Sequence, residues 1–287
     1  MKNISGFERR FIVSGLKENI RSDGREMFDY RDITLQTGNL PQTNGSSLFK
    51  LGNTHIITGV KVEIGEPLKD HPNEGRLEIS VECCPSASPE FEGRGAEDLN
   101  SELSGAMNKI MNTNSALDLK SLCILERKKC WIIYIDVLVL DSDGNLFDSV
   151  SMGIHAALSD VRIPKIRVVP GDKVGDLEIE VFGEEESRSL DTSKVPICIT
   201  FAQIDGYNIV DPTIQEESCM SSRVTIAVNK DQNICGMMMG GTSGIDTQVL
   251  IQLTQLSIKI GPGLYKALDY MTKQNTTKLN QKNNLII

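Results

Sequence analysis

The sequence predicts a two-lobed α+β chain, and three observations predict it. Strand signals separated by turn residues fill the stretch from Asp32 to Cys84. A run that is apolar on both faces, Trp131 to Leu140, is followed by Phe147, Val150, Ile154, Leu158 and Val161 at helical spacing. After a charged stretch the same order, strands and then helices, comes again.

In chain order, Ile4, Phe7, Phe11 and Ile12 recur near helical spacing, predicting an N-terminal helix within residues 1–20 that stops before the turn Ser22-Asp23-Gly24-Arg25. This helix is expected to be an appendage. A first lobe then spans residues 21–170. Its strands, Ile33 to Thr37, Ser46 to Leu51, His55 to Ile64 and Arg76 to Cys84, are punctuated by Gly52-Asn53 and Pro72-Asn73 and read as a mostly antiparallel meander. A helix from about Glu97 to Met111 comes after the Gly93-Arg94-Gly95 turn. The Trp131 to Leu140 strand belongs at the centre of a sheet, and the helix from about Phe147 to Val161 packs on that sheet through its single apolar stripe.

Residues 171–194, which include Glu184-Glu185-Glu186, read as a charged connection or exposed insertion. The second lobe covers 195–274. Its strands are Val195 to Gln203, Tyr207 to Val210, Ser222 to Asn229 and Ile234 to Met239, and two helices come after them, about Ile245 to Ile260 and Leu264 to Lys273. The tail, 275–287, is rich in Asn, Gln, Thr and Lys without an acid and is expected to be flexible unless docked.

A formal net charge of −9 repels nucleic acid in bulk, so any RNA contact must be local or supplied by partners of opposite sign. The seven cysteines show no Cys-x-x-Cys spacing and sit mostly in apolar runs, as reduced core residues of a cytosolic or nuclear protein do. The first fifteen residues contain Glu8, Arg9 and Arg10, which is wrong for a signal peptide, and no apolar run approaches membrane-spanning length. These features point to a soluble intracellular chain with no membrane partner.

Several local patterns carry bland readings. Asp141-x-Asp143-Gly144 looks like a calcium loop, but the twelfth residue is Met152 where a bidentate Glu is needed. His55, His71 and His155 lack zinc-like spacing and read as structural or solvated. Gly240-Gly241-Thr242-Ser243-Gly244 lacks the P-loop lysine and reads as a strand-to-helix turn, and Met237-Met238-Met239 as an edge or core strand. The Glu126-Arg127-Lys128-Lys129 cluster is a solvated face or a contact for RNA or an acidic partner. No Ser, His and Asp set stands out for nucleophilic catalysis.

Five motifs occur together and in order: Arg21-Ser-Asp-Gly-Arg25, Lys50-Leu-Gly-Asn-Thr54, Pro89-Glu-Phe-Glu-Gly-Arg-Gly95, Asp141-Ser-Asp-Gly-Asn-Leu-Phe-Asp148 and Val210-Asp-Pro-Thr-Ile-Gln-Glu-Glu-Ser218. The chain thereby resembles the RNase PH family over nearly its whole length. Gly144 to Asp148, Arg162-Ile-Pro164 and Asp211 to Glu217 resemble, more narrowly, the family's non-catalytic ring subunits in the eukaryotic RNA exosome. The resemblance implies the RNase PH fold, which is ribosomal protein S5 domain 2-like, with two lobes of mixed sheet and packed helices.

The same resemblance implies a site and shows how this chain departs from it. Family enzymes hold the attacking phosphate with a Gly-Thr-Arg triplet after an Asp-Gly pair. Here that triplet is Asn145-Leu146-Phe147, so no hydroxyl or guanidinium is left to clamp an anion bidentately. Two family aspartates six residues apart, the catalytic acid and metal ligands, match Asp211 and Glu217, and the second is longer by a methylene. A third family aspartate falls on Arg223, where a cation opposes Mg²⁺. Family arginines that grip RNA and phosphate match Ser101 and Gly105, while Arg94 and Lys61 remain as candidates on the RNA path.

The resemblance therefore implies a subunit without phosphorolytic activity, cofactor or metal. It would assemble with other RNase PH-like ring subunits, S1-type cap proteins and an associated exoribonuclease, and RNA 3′ ends would thread through the ring for rRNA processing and RNA degradation. Such rings work in nucleus, nucleolus and cytoplasm. The competing reading is an active phosphate-dependent 3′–5′ exoribonuclease using Asp211 and Glu217. A third possibility is a composite site shared with a partner subunit.

Overall fold

In the computed structural model, residues 4–113, 116–170, 177–182 and 187–283 are described. Helix α1, Gly6–Lys17, opens with a capping box in which Ser5 and Glu8 exchange side-chain to backbone bonds. It is no appendage. Ile12 and Leu16 bury against Ala202, Ile204, Ile209 and Cys219 of the second lobe, because one short amphipathic helix gains most of its stability from such a seat. Phe7 and Phe11 stay exposed.

The first lobe carries strands β1 (Ile33–Thr37), β2 (Gly45–Leu51), β3 (Thr54–Gly65), β4 (Arg76–Cys83), β5 (Cys123–Leu125) and β6 (Lys129–Asp141), with helix α2 (Glu97–Met111) between β4 and β5. The sheet order is β1-β2-β3-β6-β4, with β5 also on β6. Every pairing is antiparallel except β4 with β6, and α2 supplies the crossover that a parallel pair requires. As predicted, β6 lies inside the sheet, flanked by β3 and β4.

The outer edge of β4 is closed by side chains of α2 in place of another strand. Cys83 N–H donates to Asn100 Oδ1 at 3.0 Å, Val81 N–H to Ser104 Oγ at 2.9 Å and Ile79 N–H to Asn108 Oδ1 at 3.1 Å. Asn108 Nδ2 returns a bond to Ile79 O at 2.7 Å, and Asn112 Nδ2 donates to Leu77 O at 3.0 Å. Polar residues four apart thus meet alternate strand residues and satisfy an edge that would otherwise be open.

Helix α3 (Leu146–Asp160) does more than the predicted stripe requires. Every residue from Leu146 to Leu158 is buried, because α3 packs on β2 and β3 on one side and the second lobe on the other. Met152 and Ala156 join a second core beyond the stripe's own.

Where a charged insertion is expected, short ribbons appear. Strand β7 (Arg162–Pro164) pairs with β10 (Ser187–Ser189), and β8 (Ile166–Pro170) with β9 (Leu177–Val181). The Glu184 to Glu186 triplet lies outside the described residues. The second lobe is an antiparallel sheet ordered β12-β11-β13-β14, with β11 Ile197–Ile204, β12 Tyr207–Val210, β13 Ser222–Val228 and β14 Ile234–Gly241. A short helix, α4 (Ile214–Glu217), comes after β12.

The two predicted C-terminal helices are one. Helix α5 runs Thr247–Asn283 with Pro262 inside it, so the segment expected as a flexible tail is helical through Asn283. Leu253 before the proline and Leu264, Tyr265 and Leu268 after it bury in the same core, and this shared seat offsets the lost backbone bond. Asn275 Nδ2 also donates to Leu35 O in β1 at 2.7 Å. The seven cysteines are free, and none of the described helices is long and apolar enough to cross a membrane.

Candidate functional site

The site forms where two loops meet, 141–145 entering α3 and 210–217 leaving β12. Gly144 has φ +83°, and a Cβ there would lie 2.7 Å from Ile214 N and Pro212 O, so only glycine lets the loops approach this closely. Thr54 Oγ1 fixes the first loop by accepting from Asp143 N and donating to Gly144 O. Asn145 stands at the α3 N-cap with φ +54° but makes no side-chain cap. Its Nδ2 instead donates to Asp148 Oδ2 at 3.0 Å and Asp211 Oδ1 at 2.8 Å.

Asp211 is fully buried, and its carboxylate accepts from Arg25 Nη1, from Arg31 N, Nε and Nη2, and from Asn145 Nδ2, all at 2.7–2.9 Å. Burial pushes its pKa up, but the Arg31 bond and charge outweigh that and hold it below the usual carboxylate range. Glu217 accepts from Asn145 N at 2.8 Å. Burial raises its pKa to about 7 against the opposing pull of that amide, Arg223 and Arg31.

Next to them Leu146 and Phe147 are buried. The Arg223 guanidinium carbon sits 4.2 Å from the Phe147 ring centroid, and Arg223 Nη2 donates to Glu102 Oε1 on α2 at 2.6 Å. The structure therefore gathers Leu146, Phe147, Asp211, Glu217 and Arg223. Ser101 and Gly105 are exposed on α2, the helix that supplies Glu102, and a Cβ on Gly105 would meet nothing within 4 Å. Arg94, 91% exposed, faces Glu97 at 3.6 Å, and Lys61 pairs with Glu63 at 2.7 Å. Lys61 lies opposite Tyr134, seven residues down β6 from Asp141 and so roughly 20 Å from the loop.

Sequence reasoning misses the residues that hold the corner together. Arg21 and Arg25 are visible only as motif letters and Arg31 stands in no motif, yet all three bond to the 210–217 loop. Asp148 is likewise central. It accepts from Thr200 N, Thr200 Oγ1, Tyr30 Oη and Asn145 Nδ2, and burial raises its pKa to about 6 despite those bonds. The signal available is an acid set among Leu146, Phe147 and Val150 at the start of the α3 apolar stripe. Asp143, the calcium-like position, is engaged by Asn53 Nδ2 at 3.1 Å and by Arg31. Among the described residues no group of three or more His, Cys, Asp or Glu side chains is arranged to hold a metal ion. Buried His155 packs edge-on to Tyr265, and burial lowers its pKa to about 4.

Comparison with known proteins agrees with this architecture. The model of 3′ exoribonuclease family domain 1 matches residues 29–164, and that of domain 2 matches residues 194–260. A Dictyostelium discoideum protein named as an exosome complex exonuclease RRP42 is 35% identical over 96% of this chain and 99% of its own length. The exosome complex component Rrp42 of Methanopyrus kandleri is 35% identical over 89% of this chain and 93% of its own. Among solved structures, a chain of the Archaeoglobus fulgidus exosome with RNA bound to the active site superposes with a TM-score of 0.76 at 30% identity, covering 91% of this chain and 97% of that one. An archaeal exosome core chain gives 0.73 at 28%, covering 92% and 96%. Two matched domains and full-length relatives, over a fold with the same two lobes, show that the chain belongs to the RNase PH, or 3′ exoribonuclease, family.

Proposed function

We propose that this chain is a structural subunit of an exosome-type ring that has no phosphorolytic activity of its own. The observation that carries this reading is the Arg223–Phe147 stack. Where the family resemblance calls for a phosphate clamp and a metal-binding carboxylate, an aromatic ring lies buried under a guanidinium that is already paired with Glu102. Asp211, at the acid position, accepts from Arg25, Arg31 and Asn145, and this engagement supports a structural role over metal binding. Relatives named as exosome components and the likeness to exosome chains support the ring setting. Its neighbours would be other RNase PH-like subunits and S1-type caps, and RNA 3′ ends would pass through the ring to a separate exoribonuclease, with Arg94 and Lys61 as contacts on the path. Such a role would place the chain in nucleus, nucleolus and cytoplasm.

The competing reading, an active exonuclease, is favoured by the name of the Dictyostelium relative and by the carboxylates kept at Asp211 and Glu217. Incubating the purified chain with RNA and inorganic phosphate decides between the two. No nucleoside diphosphate is expected, and its release in proportion to the chain overturns the structural reading. In the reconstituted complex, Arg94→Ala is expected to slow RNA passage without loss of subunits, and unchanged RNA handling removes Arg94 from the path.

A further inference from the structure

We propose that residues 21–31 form a clasp closed over the Asp211 turn, that Asp211 is its ion-pair catch, and that the clasp holds α1 in its seat. This stands whether or not the chain sits in a ring. Three arginines on one short segment reach the same turn. Arg21, itself buried, grips Glu216 through Nε at 2.9 Å and Nη2 at 2.5 Å, and donates to Val210 O and Asp211 O at 2.8 Å each. Arg25 donates through Nη1 to Asp211 Oδ2 at 2.9 Å and to the clasp's own Asp29 O at 3.0 Å. Arg31 takes three bonds on the same carboxylate and extends Nη1 to Asp143 O at 2.8 Å in the first lobe. Val210 N–H donates to Met27 O at 2.9 Å, which adds a backbone rung to the clasp.

One carboxylate therefore joins the clasp, the loop before α3 through Asn145, and the second lobe that carries it. Asp211 adopts φ +50°, a conformation a non-glycine residue keeps only where its surroundings over-determine it. The arginine side chains at 25 and 31 are 13% and 8% exposed, so removing the anion leaves Arg25 with only Asp23 at 2.7 Å and Arg31 with only Asp143 at 3.5 Å as counter-ions, and the charge that binds both arginines to the turn is lost. Helix α1 leads directly into this segment and covers Cys219, which is 2% exposed beneath it. Opening the catch would lift α1 and uncover that thiol while the lobe cores stay closed.

The test is the rate at which a maleimide labels each cysteine of the full chain, resolved by peptide mass. Asp211→Asn is expected to raise the Cys219 rate at least about tenfold while Cys198, buried in the lobe core, stays at the wild-type rate. An unchanged Cys219 rate, or an equal rise at both thiols, overturns the proposal. If Asp211→Asn does not fold, Arg25→Gln, which removes only the outer arm, is expected to give the same selective rise in smaller measure. Leu253→Ala, which loosens the core away from the clasp, should raise neither thiol selectively.

Discussion

Arg223 lies face-on over Phe147, its guanidinium carbon 4.2 Å from the ring centroid, with Glu102 holding its outer edge. A stack at a partly exposed position contributes about 0.5–1 kcal/mol and a half-exposed ion pair about 0–1. Arg223→Ala is expected to lose roughly 1 kcal/mol, read as a fall of a few degrees in Tm. Phe147→Arg should cost several kcal/mol, because it places a second cation under the first at a buried position. The double change Leu146→Thr with Phe147→Arg is accordingly expected to release no nucleoside diphosphate from RNA while Arg223 stands.

Asp148 serves four donors inside the structure, two of them from Thr200. Strand β12 pairs with β11 only from Phe201 onward, so the earlier amides of β11 at Cys198 and Thr200 find Ser151 Oγ and Asp148 instead. Asp148→Ala strands the Thr200, Tyr30 and Asn145 donors and is expected to cost about 3–5 kcal/mol in urea unfolding. Asp148→Asn keeps part of the acceptor capacity and should cost less.

Asn108→Ala removes both bonds to Ile79 on the β4 edge. A loss of about 1–3 kcal/mol is expected, with faster hydrogen exchange at the Ile79 amide and little change on β3.

Glu217 gives the protein a pH signature. Its folded pKa is raised from 4.5 to about 7, so between those values the folded state holds a proton that the unfolded state releases. Stability from this group is present below about pH 4.5 and is lost as pH rises through 7. Glu217→Gln stays neutral throughout. Its stability relative to wild type should be near zero at pH 4.5 and grow to the order of 3 kcal/mol above pH 7, measured by thermal unfolding across that range. A difference that shrinks with rising pH contradicts the assignment.

Strands and helices with unmixed patterns are legible in the sequence. The Trp131 to Leu140 run places β6 correctly between two strands, but the cover expected on both faces is present on one only: from Ile133 to Val139 every second residue is buried, while Asp136 and Leu140 between and beyond them are exposed. The α3 stripe reads correctly but only halfway round, since Met152 and Ala156 pack on a lobe the local pattern cannot reveal. Gly261-Pro262-Gly263 looks like a helix break, and it is overridden by one continuous apolar seat on either side. At the site, Leu146, Phe147, Asp211, Glu217 and Arg223 can be named because each is read against a motif. The arginine partners of Asp211 are separated from it by about 180 residues, and no local period links them.

The α2 ladder along β4 behaves as a vernier scale. Four residues of helix rise about 6.0 Å and two residues of strand about 6.6 Å, so each step slips by roughly 0.6 Å. From Asn100 to Asn112 there are three steps, and the accumulated slip of roughly 1.8 Å is about as much as side-chain reach can absorb. The helix therefore gauges the strand: β4 can be closed over a span of about four rungs and no further. A single residue inserted between Ser104 and Asn108 would rotate every later rung off the edge at once.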